Sequence, residues 1–376
     1  MLKIIHIISG LKNGGAEKTL YKICKYDKIN KHIVISLGEN KDKYFLRLSK
    51  LKVEIYSKKL SFFSFFYDFF SLSKFLKSFK PNIVQTWLPY ADLIGGVAAR
   101  IAGIKNIVWN IRYSKLDDTK LKIYFGIKLL SKLSHIIPRS IISNSKKSII
   151  EHINLGYDRK KFFYIPNGYN TFDLQSDQKK KKFFKKKNNL KNSIPIIGHI
   201  GRYNEMKDHH TLFGSLNILK SKKIKFICVL VGPKINHKNK ELKNHIKINK
   251  LERFIKLLDE VDDISLVMNG IDICVLSSKD SEGFPNVLCE AMLCETPCIT
   301  TNIGDAPEIV GKTGWIVERK NPLGLACAIQ EAVIEMKTSG LNNRGKICRA
   351  RIKKKYNIEN MMKLNNNLWN KFEKLR

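Results

Sequence analysis

Short β-branched runs alternate along this chain with longer stretches whose apolar positions recur every three or four residues. In the first half the runs KIIHII, HIVIS, VEIYS, NIVQTW, NIVWNI and SIIS predict strands. The segments between them predict helices near 16–26, 64–79, 90–102, 120–133 and 145–155. Such alternation is the pattern of βα units laid into a parallel sheet. FFYIPNGYN then breaks the rhythm with Pro166, Asn167 and Gly168, and the basic stretch SDQKKKKFFKKKNN follows it. Turn residues ahead of a charge run predict a linker. The alternation resumes with IPIIGHIGR, KFICVLVG, FIKLLD, IDICVLSS and PCITTN. The pattern predicts two α/β domains, 1–170 and 171–352, with 353–376 as a closing C-terminal helix.

At 376 residues the chain is long enough for two such domains with full cores. The balance of 69 Lys+Arg against 33 Asp+Glu, formally +36, changes the picture, because it asks for anionic partners or surroundings. A lysine-biased set of solvated faces is the plainer account of any single lysine. The eight cysteines are scattered, several inside apolar runs, which fits a reducing compartment. Cys289, Cys294 and Cys298 lack metal-ligand spacing and read as buried helix and strand. No secretory signal is visible, and no run reaches the roughly 18 to 20 apolar residues of a membrane span. The expectation is a cytoplasmic chain, peripheral on the inner face of the cell membrane if it meets a membrane.

Candidate chemistry concentrates in SSKDSEGFPNVLCEAMLCETPCITT, which reads as strand end, loop, helix and strand. A helix beginning near Pro285 would present the amides of Phe284, Asn286, Val287 and Leu288 at an N-terminus, an end suited to a diphosphate. Glu282 just before it and Glu290 within it can hold two hydroxyl-bearing parts of one ligand, or can be ordinary helix-flanking glutamates.

EGFPNVLCEAM resembles the E-x7-E motif of the family-4 retaining glycosyltransferases, which have the GT-B fold of two Rossmann-like domains facing a cleft. GGAEKTL is similar to that family's first-domain glycine loop, IPNG to its domain join, and GRYNEMKD to its diphosphate-binding segment. LVGPK and TNIGDAPEIV also stand in the family's order. The resemblance implies that Glu282 contacts the donor sugar and Glu290 the nucleotide ribose. It implies that Arg202 and Lys207 neutralise the diphosphate leaving group, beside Gly283 and the helix amides. It implies that Gly14 and Gly15 let the first domain's backbone approach the reacting centre. Preorganised cations and amides suit that chemistry, since bond cleavage builds negative charge on the leaving group. The sequence has no D-x-D pair for a divalent metal, so no metal or other cofactor is expected. One departure is Arg112, which stands in IVWNIRYS where the family often has a His. A guanidinium cannot act as a base at neutral pH but can hold a phosphate or a sugar hydroxyl.

Weaker signals are resolved by spacing. SGLKNGGAEKT lacks the Gly-Lys-Ser/Thr of a phosphate loop, and G-x-G-x-x-G is absent. His209–His210 adjoins a predicted helix start, where capping and surface exposure are expected. LSFFSFFYDFFSLSKFLKSFK places Ser64, Asp68, Ser71, Lys74 and Ser78 on one polar stripe. Its surplus Phe can pack on the sheet, or dip into an anionic membrane with Lys58, Lys59, Lys74, Lys77 and Lys80 at the headgroups. Two other functions compete: a GT-B-fold UDP-sugar epimerase, and a basic nucleic-acid binder. The second lacks any module of stacking aromatics interleaved with Lys and Arg. The expected partners are a nucleotide-diphosphate-sugar, a lipid-linked saccharide acceptor and an anionic membrane surface, with no specific nucleic acid.

Overall fold

A computed structural model describes residues 1–39, 42–59, 64–113, 121–338 and 340–373, without the side chains of Phe65 and 121–124. It divides into two compact units, Met1–Gly168 with Ile358–Arg376, and Tyr169–Asn357.

The first unit carries seven parallel strands: β1 (Lys3–Ile8), β2 (Lys31–Ser36), β3 (Glu54–Ser57), β4 (Ile83–Trp87), β5 (Ile107–Ile111), β6 (Ser140–Ser143) and β7 (Phe162–Tyr164). Their order is β3-β2-β1-β4-β5-β6-β7. Helices α1 (Gly15–Tyr26), α2 (Lys43–Ser49), α3 (Phe65–Phe79), α4 (Pro89–Ile101), α5 (Leu121–Ser134) and α6 (Lys146–Asn154) connect them. Both faces of the sheet are covered, so β1 reads as almost unbroken Ile. Ile5 and Ile7 join the core under α3, α4 and α5, while Ile4 and Ile8 join the core shared with α1 and α2.

The second unit repeats the plan with β8 (Ile196–Ile200), β9 (Ile227–Val231), β10 (Ile255–Leu258), β11 (Ile273–Leu276), β12 (Cys298–Thr301) and β13 (Trp315–Val317). The order is β10-β9-β8-β11-β12-β13. Its helices are α7 (Gln178–Lys187), α8 (His209–Ser221), α9 (Lys240–Ile248), α10 (Ile264–Gly270), α11 (Asn286–Leu293), α12 (Ala306–Val310), α13 (Pro322–Thr338) and α14 (Asn342–Lys355). One core lies under α8, α9 and α13, the other under α7, α10, α11, α12 and α14. Strand order reverses between β1 and β4 and again between β8 and β11. The crevice beyond the strand C-termini at such a reversal is where open α/β sheets bind ligands.

Three local expectations need correction. The supposed linker after Gly168 contains a helix, α7. Asp177 caps it by accepting from the Lys179 and Lys180 amides at 2.8 and 3.1 Å. Phe184 anchors it in the core, and Lys181 and Lys185 reach Asp272 at 2.9 and 3.6 Å. The final helix, α15 (Ile358–Glu373), belongs to the first unit, where Met361, Met362, Leu368 and Trp369 join the α1 core. His209 is buried between Tyr203 and His199 rather than exposed, because Asp208 takes the capping position at α8.

The aromatic segment forms α3, with Leu72 and Leu76 buried against the sheet. Phe66, Tyr67 and Phe70 remain 77%, 77% and 55% exposed. Phe62 and Phe63 lie outside the described residues. Among the described residues no helix is long and apolar enough to cross a membrane.

Candidate functional site

In the second unit the loops leaving β8 and β11 flank the point where strand order reverses. The β8 loop carries Arg202, exposed, and Lys207, half-buried. The β11 loop carries Glu282. Lys207 Nζ and the Glu282 carboxylate form an ion pair, with side chains only 18% and 16% exposed. Ser278 Oγ donates to the same carboxylate at 2.9 Å, and Ser277 Oγ donates to the Lys207 carbonyl at 2.9 Å. The two loops are therefore tied both through side chains and through backbone.

The approach to α11 is fixed just as closely. Ser281 sits at φ 61°, a turn geometry uncommon for a residue with a side chain. Phe284 is buried with its ring edge-on to Tyr356, and the Tyr169 hydroxyl donates to Asn286 Oδ1. Asp305 N donates to Gly283 O at 2.9 Å. Gly304, at φ 50°, packs so tightly that a Cβ there would lie 2.0 Å from Glu282 O. The TNIGDAPEIV segment thus braces the Glu282–Gly283 backbone. Pro285 caps α11, and Asn286 and Val287 begin its first turn. The Leu288 amide is not open, since it donates to Pro285 O at 3.3 Å. Glu290 is buried within α11, 6% exposed.

In the first unit the residues singled out gather at the C-terminal ends of β1, β4, β5 and β7. Gly14 caps α1, and Gly15 opens it. The space a Gly14 side chain would take is filled by the Glu17 carboxylate, whose Oε2 lies 2.4 Å from where the Cβ would stand. Arg112 leaves the end of β5. Its Nε donates to Asn110 Oδ1 at 2.7 Å, a second nitrogen donates to Asn167 Oδ1, and its guanidinium lies 5.1 Å from the Trp87 ring centroid. Asn167 also accepts from Thr19 Oγ1 at 3.3 Å, and Lys22 Nζ donates to Gly168 O at 2.6 Å. The IPNG turn is therefore fastened to both α1 and Arg112.

Ser278, Asn167, Glu17 and Gly304 escape the sequence reading as individual contributors. The segments IPNG and TNIGDAPEIV are visible in the sequence, but which residue in each does the holding is not.

The β8 and β11 loops of the second unit thus carry two cations and an anchored carboxylate, the latter just ahead of the α11 N-terminus. That set can hold a diphosphate and orient a polyhydroxyl group. Residues 194–334 match the family model described as Glycosyl transferases group 1. The chain is 28% identical over 360 residues to the capsular polysaccharide biosynthesis glycosyltransferase CapM of Staphylococcus aureus, covering 92% of each chain. It is 27% identical over 302 residues to the UDP-Gal:alpha-D-GlcNAc-diphosphoundecaprenol alpha-1,3-galactosyltransferase of Escherichia coli, covering 77% of this chain and 75% of that one. Its fold matches that of Anabaena HepE in complex with UDP, at TM-score 0.85 and 20% identity, over 98% of this chain and 100% of that one. The matched domain, these relatives and the paired doubly wound sheets together make this chain a glycosyltransferase of GT-B architecture.

Proposed function

We propose that this chain is a retaining glycosyltransferase of the family-4 type, moving a hexose from a nucleotide-diphosphate-sugar to a lipid-linked saccharide in surface polysaccharide assembly. The observation that carries the reading is the Lys207–Glu282 pair at the strand-order reversal, beside exposed Arg202 and the α11 N-terminus. On donor entry Lys207 turns from Glu282 to the diphosphate, where Arg202 joins it. Glu282, still held by Ser278, accepts from sugar hydroxyls. As the sugar–phosphate bond breaks, charge grows on the leaving group, and Arg202, Lys207 and the Asn286 and Val287 amides stabilise it. Glu290 takes the ribose. These cations do the work a divalent metal does elsewhere, so we expect turnover without one.

The relatives favour a UDP-sugar donor and a lipid-linked acceptor: the Escherichia coli enzyme's name gives both, and HepE carries UDP. A lipid-linked acceptor calls for contact with a membrane. The exposed Phe66, Tyr67 and Phe70 of α3, with Lys74, Lys77 and Lys80 exposed toward its C-terminal end, suit an anionic leaflet on the inner face of the cell membrane. Lys58 and Lys59 serve this less, since Lys58 lies over the Phe75 ring and Lys59 faces Glu39.

The test is a thermal-shift screen of UDP-, GDP- and ADP-sugars, followed by transfer assays on Arg202→Ala and Lys207→Ala with and without chelator. Each variant should lose about 10²-fold or more in turnover. Near-wild-type turnover in both variants would remove the mechanism, and a strict Mg²⁺ or Mn²⁺ requirement would remove metal independence.

A further inference from the structure

On the α1 side of the first sheet, polar side chains stand among the apolar ones of the core. His6 lies on β1 between Ile4 and Ile8, His32 on β2, and Gln85 on β4, all buried. They are covered by α15, whose Trp369 donates its indole N–H to Gln85 at 3.0 Å and packs 5.8 Å from the His32 ring. His6 and His32 stack at 5.1 Å. The contacts run in one direction. Trp87 Nε1 lies 3.2 Å from His6 Nδ1, His6 Nε2 lies 2.9 Å from His32 Nδ1, and His32 Nε2 lies 3.1 Å from Asp27 Oδ2. An indole nitrogen can only donate, so His6 Nδ1 accepts and His6 carries its proton on Nε2. His32 Nδ1 then accepts, and its Nε2–H donates to the Asp27 carboxylate. Asp27 is itself held by the Ile29 amide at 2.9 Å and by Asn30 Nδ2 at 2.9 Å. Cys24 Sγ lies near both rings, which would suggest a metal, but every imidazole nitrogen is already used.

At the upper end of this chain Trp87 leads into Leu88, whose backbone sits at φ 73°, ψ 159°. That region is nearly confined to glycine, and a leucine stays there only where the surroundings over-determine it. The face of the Trp87 ring carries the Arg112 guanidinium.

We propose that the buried chain Asp27–His32–His6–Trp87 is a positioning device for Arg112: it locks the Trp87 ring as a platform, and that platform sets the guanidinium's place at the end of β5. Asn110 and Asn167 hold the edges of the guanidinium, and Trp87 holds its face. The fixed tautomers leave the indole one orientation. A cation aimed in this way needs no rearrangement when an anion or hydroxyl arrives, which is where preorganisation gains rate. The use made of Arg112 rests on the donor-binding reading above; its immobilisation does not.

The experiment measures the two separately. Nitrogen relaxation of the Arg112 Nε–H in deuterated full-length protein reads its order without any ligand. Wild type should show an order parameter near about 0.85, and His6→Leu, which removes the Trp87 acceptor, should drop it below about 0.6. His6→Asn keeps an acceptor near the Nδ1 position and should restore much of the order. Backbone amide spectra and melting establish that each variant is folded. Folded His6→Leu with Arg112 as rigid as in wild type overturns the positioning device. If His6→Leu does not fold, Asp27→Asn and His32→Gln supply the same reading from the other end of the chain. Arg112→Ala is then assayed for transfer. Unchanged transfer with an ordered wild-type Arg112 would refute the donor-binding role and leave the positioning intact.

Discussion

Gly304→Ala should damage donor use far more than stability accounts for. A methyl carbon at that position would stand 2.0 Å from Glu282 O, 2.6 Å from Gly283 O and 2.8 Å from Glu282 C, where ordinary contact begins near 3.4 Å. The obstacles are backbone atoms, so no side-chain rotation relieves them. Either the Glu282–Gly283 segment recedes by roughly 1 Å or more, or residues 303–305 do. In either case the Asp305 N to Gly283 O bond at 2.9 Å is strained, and the Glu282 carboxylate leaves Lys207 and Ser278. The left-handed backbone at φ 50° costs an alanine about 1 to 2 kcal/mol, and overpacking costs about 1 to 3 kcal/mol. A displacement of about 1 Å in a catalytic group can lower turnover about 10²-fold. Gly340→Ala is the control. It has φ 71° but nothing within 4 Å of the added carbon, so it pays the backbone cost alone. Melting temperature, UDP affinity by calorimetry and transfer rate should be measured on both variants. Turnover in Gly304→Ala equal to that of Gly340→Ala at matched stability would refute the bracing role of this segment.

The two glutamates should separate: Glu282→Ala should damage use of the donor sugar, and Glu290→Ala should chiefly weaken binding of the bare nucleoside diphosphate. Wild-type affinity for that diphosphate in Glu290→Ala would end the ribose assignment. Sedimentation with anionic vesicles should exceed that with neutral ones and fall with salt, since each nearby lysine contributes about 1 kcal/mol within a screening length of about 8 Å. Folded Phe66→Ser/Phe70→Ser protein that binds vesicles like wild type would return α3 to a purely structural role. Asp92 on α4 is pushed up to about 7 by burial, against hydrogen bonds from Thr86 and the Asn110 backbone. The folded state thus favours its protonated form, so that stabilisation is present below the unfolded value of about 3.9 and is lost as pH rises through about 7. Asp92→Asn should therefore gain melting temperature relative to wild type between pH 4 and 7, and parallel pH profiles would refute this.

The sequence by itself determined the parallel sheets of both units. In a sheet buried on both faces the strands are predominantly apolar rather than alternating, so KIIHII or FICVLV identifies itself without reference to the rest of the chain. It also marked the loops leaving β8 and β11, because a strand end, a turn and a helix start are written in adjacent residues. Tertiary structure alone decided what those loops do to one another. Lys207 and Glu282 stand 75 positions apart, and no periodicity relates them. The same holds for α7, whose lysines read as a solvated linker until Asp272 and the pocket for Phe184 are brought beneath them. It holds for α15, drawn back to the first unit by Trp369 and its bond to Gln85 across 284 positions. His6 shows the boundary most plainly: as one polar letter in an apolar strand it signals nothing, and only the packing of β2, β4 and α15 around it supplies the partners that fix its proton. Local pattern encodes what an element is, because burial acts residue by residue; partnership between elements depends on where the chain returns in space.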